Sequence, residues 1–390
     1  MDITNQCKND DYEPKRIDST SYTARPSISR SVGDGNQTVD SDLAHFSVTT
    51  VLSYCKTKIL KPYLRLLSIT GLRSFSNDQS ESITFSDCCS YVYIFVLLLL
   101  MIMGYLLQYM ACFRRDRGFG YIVLERGYRS ERHNDLYEHI CNDSILFSYA
   151  IPHILHFMGY VYAFFIFRSS GDDQLPSLME TVFLSLSNLS NGFQSQKRLI
   201  KTLWIFVSIS LVWMILSLIT AIIMMGEGII EFKWLTKANE SVTIIMKVLL
   251  IVSTLWHDVI QATVISNYCL QSQLLTSYIF FLKEKLIQNL TQLTEWIKDV
   301  EEFKKLLCFL NGKLSASVCL FSLVNICRAF TGVLWLLDLD KIDRDNVCAI
   351  GINILNIILW MFLSATPFIQ AARLSSACEV IRSVGHETRV

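Results

Sequence analysis

The chain has 390 residues, 51% of them apolar and 18% charged, and its 35 basic and 35 acidic side chains cancel. A mean hydropathy of +0.35 excludes a disordered chain, a collagenous one and a small disulfide scaffold. Zero net charge excludes a protein that works by coating nucleic acid, and what remains is an all-α, polytopic membrane helix bundle.

In chain order, residues 1–57 are rich in Asp, Asn, Ser and Lys and lack the apolar stretch of a secretory signal, so they read as a disordered tail. Residues 58–371 read as the transmembrane bundle. A helix needs roughly 20 mostly apolar residues to cross about 30 Å of hydrocarbon. Six runs meet that need, at 91–111, 144–167, 202–225, 242–266, 314–337 and 347–371. They show no period-two alternation, and in lipid only helices and closed barrels satisfy every backbone polar group. Between the fourth and fifth runs, residues 267–313 carry Leu275, Tyr278, Leu282, Leu286, Trp296, Val300, Phe303 and Leu307 at spacings near three and four, with charged residues between. That stripe predicts a helical stalk projecting from both crossings, the alternative being a helix lying on the membrane surface. Residues 372–390 are expected to form a C-terminal segment on the same side as the stalk.

Lys and Arg near the helix ends set orientation. With the N-terminus in the cytosol, eighteen of these residues fall inside and ten outside. The stalk and the C-terminal segment are then cytosolic and the protein spans a plasma membrane. Under this topology Asn142 and Asn239, each opening an Asn-x-Ser sequon, face outward and are expected to be glycosylated.

Ionisable and amide groups inside lipid are costly and therefore point to function. In the second run, His153 and His156 share a face with Tyr160, which suits an outward-facing pocket; the alternative is a pair of buried histidines bonded to backbone or to neighbouring hydroxyls. His257 and Asp258 lie in the fourth run. Arg328 lies in the fifth, beside Asn325, and an Asp258–Arg328 pair would offset two unfavourable charges. Asn353 and Asn356 sit three apart in the sixth, with Trp360 one turn further on, as interhelical glue or as pocket wall. The expected ligand-binding set is therefore His153, His156, Tyr160, Asn325, Arg328, Asn353 and Asn356. Twelve cysteines are scattered without a CxxC, and Cys112, Cys141 and Cys348 have the positions for one outer disulfide. No carboxylate or thiol stands at metal-ligand spacing from the histidines. No nucleotide-binding, zinc-protease, nucleophile-elbow or kinase motif occurs, so neither an enzyme nor a cofactor is expected.

Three strings carry a family resemblance. LKPYLRLLSITGLRSF at 60–75 resembles the segment that leads into the first helix of invertebrate gustatory receptors. FLNGKLSASVCLFSLVNICRAFTGVLWLL at 309–337 resembles the Leu-Asn-initiated helix after that family's long inner loop, and SSACEVIRSVGHETR at 375–389 its Cys-containing inner segment. The resemblance implies a seven-helix receptor of inverted topology. It also implies a homo- or heterotetramer with related subunits, and a non-selective cation channel opened by a small-molecule ligand. In that family the last helix carries a Thr-Tyr…Gln-Phe signature and lines the pore. No such string occurs before Val390, so the expectation is a chemosensory subunit with six recognisable crossings, lacking the pore-lining helix. Some nematode relatives respond to light or peroxide. The rival readings are a secondary transporter, with Asp258 and Arg328 as mid-membrane charges, and a G-protein-coupled receptor, whose DRY-like and NPxxY cues are absent.

Overall fold

The computed structural model describes residue 53 and residues 56–73, 85–111, 149–169, 174–187, 192–226, 240–287, 293–337 and 347–387. Nearly all of the expected tail, both sequons at Asn142 and Asn239, and the thiols of Cys112, Cys141 and Cys348 lie outside the described residues. Among those described there are helices and no strands. They are α1 (Lys61–Ile69), α2 (Phe85–Met110), α3 (Ile151–Ser169), α4 (Gln174–Ser187), α5 (Gly192–Gly226), α6 (Glu240–Ile287), α7 (Leu293–Phe309), α8 (Ser315–Leu337) and α9 (Val347–Glu387). A wide turn over Lys56–Leu60 leads into α1, and another over Leu310–Leu314 joins α7 to α8.

Five stretches are long and apolar enough to cross a membrane: Ser90–Met110, Gln196–Met225, Glu240–Ile287, Thr294–Leu334 and Ile350–Ser383. They correspond to five of the six expected runs. The remaining one forms α3, whose 19 residues include Pro152, two histidines and Gly159, and it is not among the five. Ile and Val crowd α5, although β-branching lowers helix propensity in water. In hydrocarbon the comparison is different, because any non-helical backbone would leave its polar groups unmade. The outward faces agree with lipid as solvent. Phe95, Leu99, Ile102 and Leu106 on α2, and Ile205, Val212, Ile215 and Ile219 on α5, are exposed along helical stripes. In water such a belt would be an aggregation surface.

α6 is the axis of the bundle. Its first dozen residues expose Val242, Ile245, Val248 and Val252, whereas from Ser253 to Leu282 most side chains are buried, because other helices pack around it. At 48 residues it is about 72 Å long, more than twice a bilayer core. Its far end is met by α7, which folds back along it. Trp296 Nε1 donates to Leu282 O at 3.2 Å, Lys285 pairs with Asp299 at 2.7 Å, and Tyr278 packs against Phe281 and Phe303. The stalk expected from periodicity is thus a helical hairpin.

Two features add to the expectation. α9, which holds the sixth run, continues through Glu387 into the expected C-terminal segment and packs along α6; Ser272 Oγ donates to Gln370 O at 3.3 Å, and Leu374 and Ala377 remain buried. Pro367 sits inside it, with the hydroxyls of Ser364 and Thr366 bonded back to the carbonyls of Met361 and Phe362. The second is α4, not foreseen at all, which buries Leu175, Leu178, Met179, Val182 and Phe183 along one stripe and is tied to α5 by Gln196 Nε2 donating to Phe183 O at 3.1 Å.

α1 anchors the entry to the bundle. Tyr63 Oη donates to Thr263 O at 3.0 Å and lies 3.0 Å from Ser266 Oγ on α6, and burial pushes its phenol well above the ordinary range. The chain leaves α1 through Gly71 at φ 76°, a left-handed conformation; an added Cβ there would lie 3.0 Å from Leu97 Cδ1.

Candidate functional site

The polar side chains expected to line one pocket separate into two clusters inside the bundle. The first joins α2, α3 and α6. Pro152 occupies the first turn of α3, where its missing N–H costs nothing, and the helix then presents His153 and His156 on one face. His153 Nδ1 donates to Tyr149 O at 2.6 Å, while its Nε2 lies 2.8 Å from Gln108 Oε1 on α2. His156, fully buried, has Nδ1 2.8 Å from Tyr105 Oη and donates from Nε2 to His257 O at 3.2 Å. His257 on α6 completes the group. Its Nδ1 lies 3.1 Å from Gln108 Nε2, its Nε2 donates to Met101 O at 3.2 Å, and its ring stacks on Tyr105 with centroids 4.5 Å apart. Thr254 Oγ1 accepts from Gln108 Nε2 at 3.3 Å. Gly104 permits this approach, since a Cβ there would stand 2.8 Å from His257 Cε1.

Adjacent residues on a helix point in different directions. His257 turns to α2 and α3, and Asp258 turns to α5, where Ser217 Oγ donates to its Oδ2 at 2.6 Å. Tyr160, one turn beyond His156, reaches away from the histidines and donates to Thr70 O, at the end of α1, at 3.3 Å.

The second cluster lies where α8 packs on α9. Arg328 lies over the ring of Trp360 at 4.7 Å, and Trp360 packs edge-on against Trp213, whose Nε1 donates to Leu359 O at 2.9 Å. Asn353 Nδ2 donates to Gly332 O at 3.2 Å, its Oδ1 has no hydrogen-bond partner within the protein, and Asn356 is buried one turn further on. Asn325 is fully buried, and neither its amide nitrogen nor its oxygen finds a partner. Ser322, one turn before it, and Gln261 on α6 are in the same condition. The clusters meet through Phe321 of α8, edge-on to His156 at 5.2 Å and against Gly159, whose carbonyl accepts from Ser317 Oγ at 3.0 Å.

The residues that sequence reasoning passed over are Tyr105, Gln108 and Gln261. A glutamine inside a lipid-crossing run is the signal that points to both amides. A separate, small apolar cleft, lined by Leu60, Tyr63, Met179, Leu203 and Leu270, opens between α1, α4, α5 and α6 and offers no polar group for specificity beyond Tyr63. Among the described residues no group of three or more His, Cys, Asp or Glu side chains has the arrangement to hold a metal ion. No family model, no curated protein and no solved structure matches the chain.

Proposed function

We propose that the chain is a subunit of a chemosensory receptor in the plasma membrane, of the ligand-gated cation channel type that its sequence resembles. The observation that carries this reading is Asn325, wholly buried among membrane-length helices with both ends of its amide unpartnered. A buried amide left unmade costs about 1–3 kcal/mol per group. A small polar guest bonded to Asn325 and to Ser322, one turn before it on α8, recovers that cost, and Arg328, one turn after it, brings the cation held over the Trp360 ring. A guest held more tightly in one packing of α8 on α9 than in another shifts the population between the two. Because α9 and the α7–α8 rod continue past the bilayer, such a shift reaches the stalk and any neighbouring subunit.

The test is whole-cell recording from cells expressing the chain with an inward-facing N-terminus, challenged with neutral sugars, amino acids, hydrogen peroxide and light. A solute-evoked current that Asn325→Leu abolishes, with surface expression unchanged, is the expected result. Responses that persist in Asn325→Leu remove the pocket, and silence to every stimulus overturns the channel. A secondary transporter is the second reading, favoured by Asp258, a carboxylate held mid-helix in the bundle interior; saturable ion-coupled uptake without current would establish it.

A further inference from the structure

Three side chains of the first cluster form a line between two backbone carbonyls. The line runs from Tyr149 O to His153 at 2.6 Å, from His153 to the Gln108 amide at 2.8 Å, from Gln108 to His257 at 3.1 Å, and from His257 to Met101 O at 3.2 Å. A carbonyl only accepts, so the line needs an N–H pointing outward at each end. A neutral imidazole has one N–H and one lone pair, and a primary amide has one donating and one accepting end. Direction is therefore inherited along the line. If His153 gives its only proton to Tyr149, its Nε2 must accept from the Gln108 NH₂. The Gln108 oxygen then faces His257 Nδ1, which must supply the proton, and His257 Nε2 is left bare against Met101 O. With the amide turned the other way, as it stands here, the bare nitrogen falls on His153 instead. Both orientations leave the neutral line one proton short.

We propose that the His153–Gln108–His257 line is a binding site for one proton, held by one imidazole or the other according to which way the Gln108 amide is turned. The branches agree with either state. The Thr254 hydroxyl donates or accepts as required, and His156 is complete as a neutral ring, donating to His257 O and accepting from Tyr105. Among the described residues, α2 presents Tyr105, stacked on His257 and favourable to a cationic ring, and Tyr109, packed on Tyr149; Tyr149 stands just before α3, which presents His156; α6 contributes Asp258, the residue after His257, whose carboxylate takes the Ser217 hydroxyl of α5; α8 brings the uncharged ring of Phe321. The bound proton ties α2, α3 and α6 together, and its loss turns one of four contacts into a lone-pair repulsion. This site is separate from Asn325 and stands whether or not the chain conducts ions.

The full chain, labelled with ¹⁵N-histidine and held in lipid nanodiscs, tests it by nitrogen NMR at neutral pH, where an exposed imidazole is mostly neutral. The wild type is expected to show one ring with both nitrogens protonated. Gln108→Leu cuts the line, lets each histidine serve its own carbonyl as a neutral ring, and should lose that signal. Gln108→Glu accepts from both imidazoles and should keep it. Only neutral rings in the wild type, or an imidazolium that survives in a folded Gln108→Leu, overturns the proposal. Should Gln108→Leu not fold, the wild-type spectrum and its retention in Gln108→Glu decide.

Discussion

At the scale of single residues, the interior of this bundle trades packing space for polar contacts. Gly104 is the clearest case. Its missing side chain admits His257 and Ser253, and the clash of a Cβ would fall on a ring already held by hydrogen bonds on both nitrogens and on the stiff root of Ser253, at 2.9 Å. Gly104→Ala should therefore destabilise the protein by about 1–3 kcal/mol, read as a lowered midpoint of thermal unfolding in detergent. Ser217→Ala removes a donor from the buried Asp258 carboxylate and should cost about 1.5–3 kcal/mol, the usual worth of a hydrogen bond to a charge; the same melt checks it. His153, His156 and His257 were legible as costly groups in apolar runs. That Gln108 joins two of them was not, because hydrophobicity reports that a residue is misplaced in lipid and says nothing of which helix supplies its partner.

At the scale of elements, the stalk hairpin is the part whose parts can be ranked. Phe303 is buried against Tyr278, whereas the Lys285–Asp299 pair is partly open to water. Truncation of a buried aromatic costs about 3–5 kcal/mol, and an exposed ion pair is worth about 0–1 kcal/mol. Hydrogen exchange over α7 should therefore quicken greatly in Phe303→Ala and little in Lys285→Ala; equal effects would mean that the hairpin is held by charge. The stripe from Leu275 to Leu307 made this element readable, since amphipathic spacing survives without any knowledge of the partner. α4 has the same kind of stripe in Leu175, Leu178, Met179, Val182 and Phe183, but at 14 residues it is too short to cross a membrane and had no place among lipid-length runs. The length of α9 beyond residue 371 was not read from the sequence. Charged residues such as Arg373 mark where a helix leaves lipid, not where it ends, and α9 goes on because α6 offers it a surface.

At the scale of the whole molecule, the crossings follow from composition, because a bilayer sorts segments by length and polarity alone. The side on which the stalk lies is a different matter, set by flanking charge. With six crossings, eighteen basic residues against ten give the expectation of a cytosolic stalk. The receptor reading needs the cytosolic assignment, since it places the polar clusters toward the outer side and the stalk where subunits couple within the cell. The deciding measurement is antibody staining of an epitope inserted between α6 and α7 in cells expressing the full chain. The account predicts staining only after the plasma membrane is permeabilised, and staining of intact cells would contradict it.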